Sequence, residues 1–248
     1  MLRSRYLGMS STGIKRVEMS IREQARLLSY VDAFEGLPEG ELLEIARATL
    51  DDYEYGERER IFGADDGCEN VFVLKRGRVH VTRGEGPGSR ATLDVLRSGT
   101  VFGRLDPEAP GQGARAEAVE PSLVCVLPHE DLEKLVERRP GAGLALARAL
   151  DQRLQTVGEL EARMRGKEAP ARLAIIISRL VEDEGVVGRD GYKVAARYTH
   201  EELGAMIGSN RDTVTRALSR LRAAGLVDTP DGTIHVPDLE ALENAARG

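Results

Sequence analysis

The sequence predicts an α+β chain with an N-terminal β-roll of jelly-roll type, a long dimerisation helix and a C-terminal winged helix-turn-helix. Three observations predict it. Short β-type runs separated by glycines fill residues 51–127, a proline-free stretch with a helical apolar rhythm covers Leu144 to Arg165, and Tyr198 to Val236 reads as helix, turn, helix and hairpin. With 248 residues, 41% of them hydrophobic, the chain can bury two cores. The expected divisions are a disordered N-terminus over 1–20, the roll with flanking helices over 21–140, the dimerisation helix over 141–168 and the winged domain over 169–248.

The first eighteen or so residues, with Arg3, Arg5, Lys15 and Arg16 among small polar residues, show no period and are expected to lack order. Phe34 to Leu50 suits a helix. Val71 to Leu74, Val79 to Thr82, Thr92 to Leu96 and Leu123 to Leu127 read as strands, with Gly56, Gly77, Gly84, Gly86, Gly88 and Gly99 between or beside them at the turns. Glu117 and Glu120 read as strand-edge charges.

In the long helix Leu146, Leu150, Val157, Leu160 and Met164 recur at spacings of four, seven, three and four, the seam of a two-stranded coiled coil. Leu154 broadens the stripe, and Arg153 falls where a seam residue is expected. The same face could instead pack on the chain's own roll. Ala169-Pro170-Ala171 is expected to break the helix run and serve as a hinge, because proline removes an amide and biases the residue before it away from helix. Arg172 to Val181 then opens the last domain, Asp183 to Tyr192 reads as a loop, and Lys193 to Ala196 as the first wing strand.

Thr199 with Glu202 forms a capping box, each side chain satisfying the other's orphaned backbone amide. Leu203 and Ile207 give this helix an apolar face, Gly208 can end it in the left-handed conformation, and Ser209 can cap the next helix with Asp212. There Val214, Leu218 and Leu221 form the inward stripe. Asn210, Arg211, Asp212, Thr215, Arg216 and Arg220 are left outside, and Thr199 and His200 join them as candidate DNA-binding residues. A guanidinium can grip a guanine edge with two hydrogen bonds and a carboxylate can accept from a cytosine amino group, so Arg211, Asp212 and Arg216 are the candidate base readers. Leu226 to Asp228, the turn Pro230-Asp231-Gly232 and Thr233 to Val236 read as the wing hairpin. An isolated amphipathic helix with outward arginines could equally be a solvated helix; the ordered set of four elements favours DNA.

The net charge of −6 argues against a protein that coats nucleic acid indiscriminately. From 166 to 248, eleven Lys and Arg face thirteen Asp and Glu, so any positive field must be local to Arg211, Arg216, Arg220 and Arg222. No run approaches a membrane span or a signal-peptide core, which places the protein in the cytoplasm. Cys68 and Cys125 form no CxxC and no zinc-like spacing with His80, His129, His200 or His235. Both are read as structural thiols, and neither a metal nor a cofactor is expected. No nucleophile, base or carboxylate-pair constellation is recognisable, so the chain is not read as an enzyme.

The stretch Gly208-Ser209-Asn210-Arg211-Asp212-Thr213-Val214-Thr215-Arg216-Ala217-Leu218 resembles, nearly position for position, the recognition helix of the CRP/FNR (cyclic AMP receptor protein and fumarate-nitrate regulator) transcription factors. By this resemblance Arg211 and Arg216 read guanines, and Asp212 stands where the family more often has Glu. Tyr55-Gly56-Glu57, Ile61-Phe62, Val71 to Val79 and Gly99-Thr100-Val101-Phe102-Gly103 resemble the family's cyclic-nucleotide-binding β-roll. The resemblance implies a bacterial transcription regulator, a homodimer on palindromic promoter DNA, probing two half-sites about one turn, ~34 Å, apart and acting as an activator that contacts RNA polymerase. The oxygen-sensing branch is excluded, since no Cys precedes residue 68.

The ligand positions depart from the family. Where cyclic-AMP-binding members carry Gly-Glu, this chain has Gly103-Arg104; the phosphate clamp falls near Pro110-Gly111, with Gln112 and Arg115 the donors a shifted alignment offers; the adenine-facing Thr-Ser pair aligns with Val157-Gly158, fixed by Arg153-Leu154-Gln155. A buried anion without its guanidinium clamp loses several kcal/mol, so cyclic AMP is not expected to bind in the usual way. The remaining readings are a roll that works without effector, a different small anion drawn by Arg104 and Arg115, or a haem held by Cys68 or His80. A sensor or scaffold whose winged domain binds protein is the competing function.

Overall fold

The computed structural model describes residues 14–47, 51–63, 70–83, 91–104 and 113–247. Residues 1–13, and with them Arg3 and Arg5, lie outside these, as do Cys68, Gly84, Gly86, Gly88, Pro110, Gly111 and Gln112. The chain divides into two units, residues 1–154 and 155–248.

The first unit begins with strand β1 (Lys15–Val17) and helix α1 (Ile21–Leu28), followed by a 3-10 turn at Asp32–Phe34 and helix α2 (Glu39–Arg47). Eight strands follow: β2 (Asp51–Tyr55), β3 (Arg60–Phe62), β4 (Asn70–Arg76), β5 (Arg78–Arg83), β6 (Ala91–Arg97), β7 (Val101–Gly103), β8 (Ala114–Ala118) and β9 (Ser122–Pro128). Helix α3 (His129–Arg138) and the first part of α4 (Pro140–Met164) close the unit. The strands form two antiparallel sheets, β1-β2-β9-β4-β7 and β3-β8-β5-β6. Side-chain alternation sets what each face of the five-stranded sheet covers. Phe72 and Leu74 of β4 and Val124 and Val126 of β9 face the other sheet, and with Tyr55 and Phe102 of their own sheet and Phe62, Val79, Leu96, Ala116 and Ala118 of the other they complete one core. Val71, Val73, Cys125 and Leu127 point the other way and pack with Leu28, Ile45 and Leu135 from the three short helices.

Each of the four expected strands is present and slightly longer. Three expectations change. Residues 15–20 are ordered: Lys15–Val17 pairs with β2, and Ser20 caps α1 through a capping box with Glu23. The helix expected from Phe34 starts only at Glu39, because Gly36 sits at φ +77 and Pro38 follows. Glu117 lies within β8, a strand whose Ala-Arg-Ala-Glu-Ala sequence has little intrinsic β preference and depends on pairing with β5 and β3.

The second unit holds the end of α4, then α5 (Ala169–Glu184), β10 (Gly185–Gly188), β11 (Gly191–Arg197), α6 (His200–Met206), α7 (Arg211–Ala223), a 3-10 turn at Pro230–Gly232, β12 (Thr233–Val236) and α8 (Leu239–Arg247). Leu173, Ile177 and Leu180 of α5 are buried among Val194, Leu203, Ile207, Leu218, Val236 and Leu242. Each such side chain contributes roughly 1.5–3 kcal/mol through removal from water.

Here too the structure corrects expectations. Pro170 begins a helix instead of breaking one, since a proline in the first turn costs no hydrogen bond; the break is at Gly166, φ +74. The stretch 183–192 contains the end of α5 and strand β10, paired with β11. Leu226 to Asp228 makes one bridge, Asp228 to His235, because Gly225 and Leu226 donate their amides to Arg222 and Leu221 to finish α7. β12 pairs mainly with β11 instead.

Candidate nucleic-acid interface

The helix-turn-helix is built from α6 and α7. Thr199 Oγ1 accepts from the Glu202 amide at 3.1 Å and Glu202 Oε2 accepts from the Thr199 amide at 2.6 Å, so the expected capping box is complete. Leu203 and Ile207 are buried, and Gly208 turns the chain at φ +61. The next cap is Asn210, not Ser209: Asn210 Oδ1 accepts from the Thr213 amide at 2.9 Å. Ser209 is still part of the turn, its amide held by the Gly204 carbonyl at 2.7 Å and its hydroxyl accepting from Arg172 Nη2 at 3.4 Å. Val214, Ala217, Leu218 and Leu221 bury the inner face of α7.

Arg211, Asp212, Thr215, Arg216 and Arg220 all lie exposed on α7, so the structure brings the candidate base readers onto one free surface. Asp212 stands in the first turn, where the helix dipole favours a carboxylate. Arg216 runs back along its own helix, Nε to the Asp212 carbonyl at 3.4 Å and Nη2 to Thr213 Oγ1 at 3.3 Å. Arg220 Nη1 donates to Glu168 Oε2 at 3.4 Å. His200 Nδ1 lies 2.8 Å from Thr215 Oγ1. Thr199 and Asn210, expected at the interface, use their side-chain oxygens as caps.

Sequence reasoning missed four residues. An added Cβ at Gly204 would lie 2.7 Å from the Ser209 carbonyl, so only glycine lets α6 meet the turn this closely; a glycine inside a helical pattern was the available signal. Lys193 and Arg197 are exposed on β11, with His235 opposite Lys193 across the sheet. Arg172 braces the turn from α5, a contact across 37 positions that no local pattern reveals.

In the roll, Gly103 has φ +99, and a Cβ there would meet the Asn70 carbonyl at 2.7 Å and Phe72 at 2.9 Å. The Arg104 amide donates to that same carbonyl at 3.5 Å. Between the sheets beside them Phe62, Phe72 and Phe102 are stacked with centroids 5.2 to 6.4 Å apart. Ala114, Ala116 and Ala118 face this cluster, so alternation puts Arg115 on the opposite face of β8. His80, the alternative haem ligand, likewise lies on the face away from Val79 and Val81, opposite Glu117. Val157 and Gly158 belong to the second unit, Val157 48% exposed and Gly158 with open space where a Cβ would stand.

The expected dimer residues separate into two groups. Leu146 packs against the first unit's helical core, and Leu160 and Met164 pack against the second unit's core. Leu154 is 73% exposed and Val157 48%; with half-buried Leu150 they keep a spacing of four and three. Arg153 forms an ion pair with Asp94.

Cys125 is fully buried, and burial pushes its thiol above the usual range, as for a structural thiol. Beside it in the sheet, Lys75 Nζ meets Asp52 Oδ1 at 2.7 Å with both side chains inaccessible, and Gln24 donates to Asp52 Oδ2 at 3.2 Å. Desolvation nonetheless raises the Asp52 pKa, outweighing the attraction of Lys75. Among the described residues no three His, Cys, Asp or Glu gather as a metal site, and no helix is long and apolar enough to cross a membrane.

Residues 171–245 match the Crp-like helix-turn-helix domain and residues 53–139 the cyclic nucleotide-binding domain. The chain is 31% identical over 196 residues to the cyclic AMP receptor protein of Thermus thermophilus, covering 78% of this chain and 87% of that protein. It is 28% identical over 185 residues to the global nitrogen regulator of Synechocystis sp., covering 73% and 82%. Among solved structures, a CRP-family transcriptional regulator from Thermus thermophilus superposes with a TM-score of 0.64 at 26% identity, over 79% of this chain and 96% of that one. A CooA mutant from Carboxydothermus hydrogenoformans shares the fold at a TM-score of 0.67 and 21% identity, over 82% and 90%. Roll, reading helix and relatives agree: this chain belongs to the CRP/FNR family of DNA-binding transcription regulators.

Proposed function

We propose that the protein acts as a homodimer on palindromic promoter sites in the cytoplasm, as an activator that contacts RNA polymerase and does not depend on cyclic AMP. One observation supports it most: α7 is anchored by a buried stripe while Arg211, Asp212 and Arg216 stand together on its free face. In this reading Arg211 and Arg216 grip guanines, Asp212 accepts from a cytosine, and Arg220 with the exposed Lys193 and Arg197 meets phosphates. Leu150, Leu154 and Val157 would close the dimer, burying side chains that α4 otherwise leaves to water. Independence of cyclic AMP is supported by the cation Arg104 where cyclic-AMP-binding members carry Glu, and by Arg115 lying on the face of β8 opposite the one that meets the stacked phenylalanines.

Replacing Arg211 or Arg216 by Ala should weaken binding to a palindromic duplex selected from a random pool by the wild-type protein by about 1 to 3 kcal/mol per guanine contact. Unchanged affinity in both variants would sink the reading.

A further inference from the structure

A short run of hydrogen bonds joins the starts of the two helices. Thr215 Oγ1 donates to the Arg211 carbonyl at 3.0 Å, and the same oxygen lies 2.8 Å from His200 Nδ1. A hydroxyl has one proton, and a carbonyl can only accept. With that proton on the Arg211 carbonyl, as the 3.0 Å contact has it, His200 completes the run by donating through a protonated Nδ1. Serine and threonine often bond back to the carbonyl four residues earlier, which by itself ties a helix only to itself. Here the oxygen also receives a donor from the first residue of α6, so the first turn of α7 is referenced to its neighbour at a polar point as well as through its apolar stripe.

The link ends on the backbone of Arg211. A bidentate grip on a base tolerates little rotation, so whatever fixes the Arg211 main chain controls how well its guanidinium meets a base edge. Stability does not need this link, because Leu203, Ile207, Val214 and Leu218 already bury the contact between the helices.

We propose that His200 is a positioning residue for Arg211, acting through the Thr215 hydroxyl, and that Thr215 serves this bracket and does not touch a base. The inference rests on the DNA-reading function above and adds how sequence discrimination is set.

The test uses the full-length protein and the palindromic duplex that the wild type selects from a random pool, with a random-sequence duplex as reference. Thr215→Val, which keeps the branched shape, and His200→Leu should each lower affinity for the selected site about five- to tenfold, with little change on the random duplex or in the thermal midpoint. The double variant should lose no more than either single one, because both remove the same link. His200→Asn, whose side-chain amide can donate in place of Nδ1–H, should recover to within about twofold of wild type. Ring-nitrogen NMR should find a proton held on His200 Nδ1 in the wild type, and no longer fixed there in Thr215→Val. The proposal is overturned if the single losses multiply in the double variant, if His200→Asn is as poor as His200→Leu, or if affinity for random DNA falls in parallel, which would make His200 a phosphate contact. Should Arg211→Ala bind the selected site as wild type does, the DNA-reading function itself fails, an outcome separate from these.

Discussion

At the scale of single residues, three positions carry more of this fold than their chemistry announces. Gly204 permits a close approach of α6 to the turn, and a methyl there collides with a main-chain oxygen that cannot move without the turn. Gly204→Ala should therefore cost about 1–3 kcal/mol in thermal or urea unfolding even though alanine is the better helix former, and it should weaken DNA binding. Lys75 and Asp52 are buried as a pair. Lys75→Met should destabilise the roll by about 3–5 kcal/mol, while adding Asp52→Leu should recover most of the loss. The sign of the pH dependence follows from Asp52, whose folded pKa is raised: the folded state favours its neutral form, so the penalty of Lys75→Met should shrink as pH falls and grow as pH rises through the folded pKa. Urea titrations at two pH values check this.

At the scale of elements, what was legible in the sequence depended on whether local chemistry or distant pairing built the element. The capping box at Thr199 and the stripe of Val214, Leu218 and Leu221 are written in adjacent residues and hold in the structure. The cap at Asn210 was not legible, because Ser209 is as good a capping residue and only the depth of the turn decides between them. Strands β3, β7 and β10 have three or four residues each, and the polar β8 acquires its geometry from partners far along the chain. In α4, apolar residues occupy neighbouring stripes, so the period alone could not say which leucines pack inward. Leu146 does and Leu154 does not. Leu154→Lys should accordingly leave the thermal midpoint almost unchanged while shifting the protein to monomer in sedimentation at micromolar concentration, with loss of palindrome binding.

At the scale of the whole molecule, the family's two parts are both present. In the roll three phenylalanines stack between the sheets, and Arg115 lies on the face of β8 opposite the alanines that meet them. Calorimetry with cyclic AMP should give no saturable heat at micromolar to millimolar ligand, and selected-site affinity should be the same with and without it; saturable micromolar binding would overturn this. The pocket was only partly legible in the sequence: Arg104 could be read directly, whereas the direction of Arg115 depends on which face of β8 its alanines take.

The hairpin of the winged sheet carries a liability of its own. β10 is an outermost strand, and Val186 and Val187 on it are 58% and 74% exposed between two glycines. Such a lip presents oily side chains beside unpaired main-chain groups, the combination that lets separate molecules stitch together edge to edge. Its brevity keeps each stitch weak, so crowding rather than heat should be what first turns solutions of this protein cloudy.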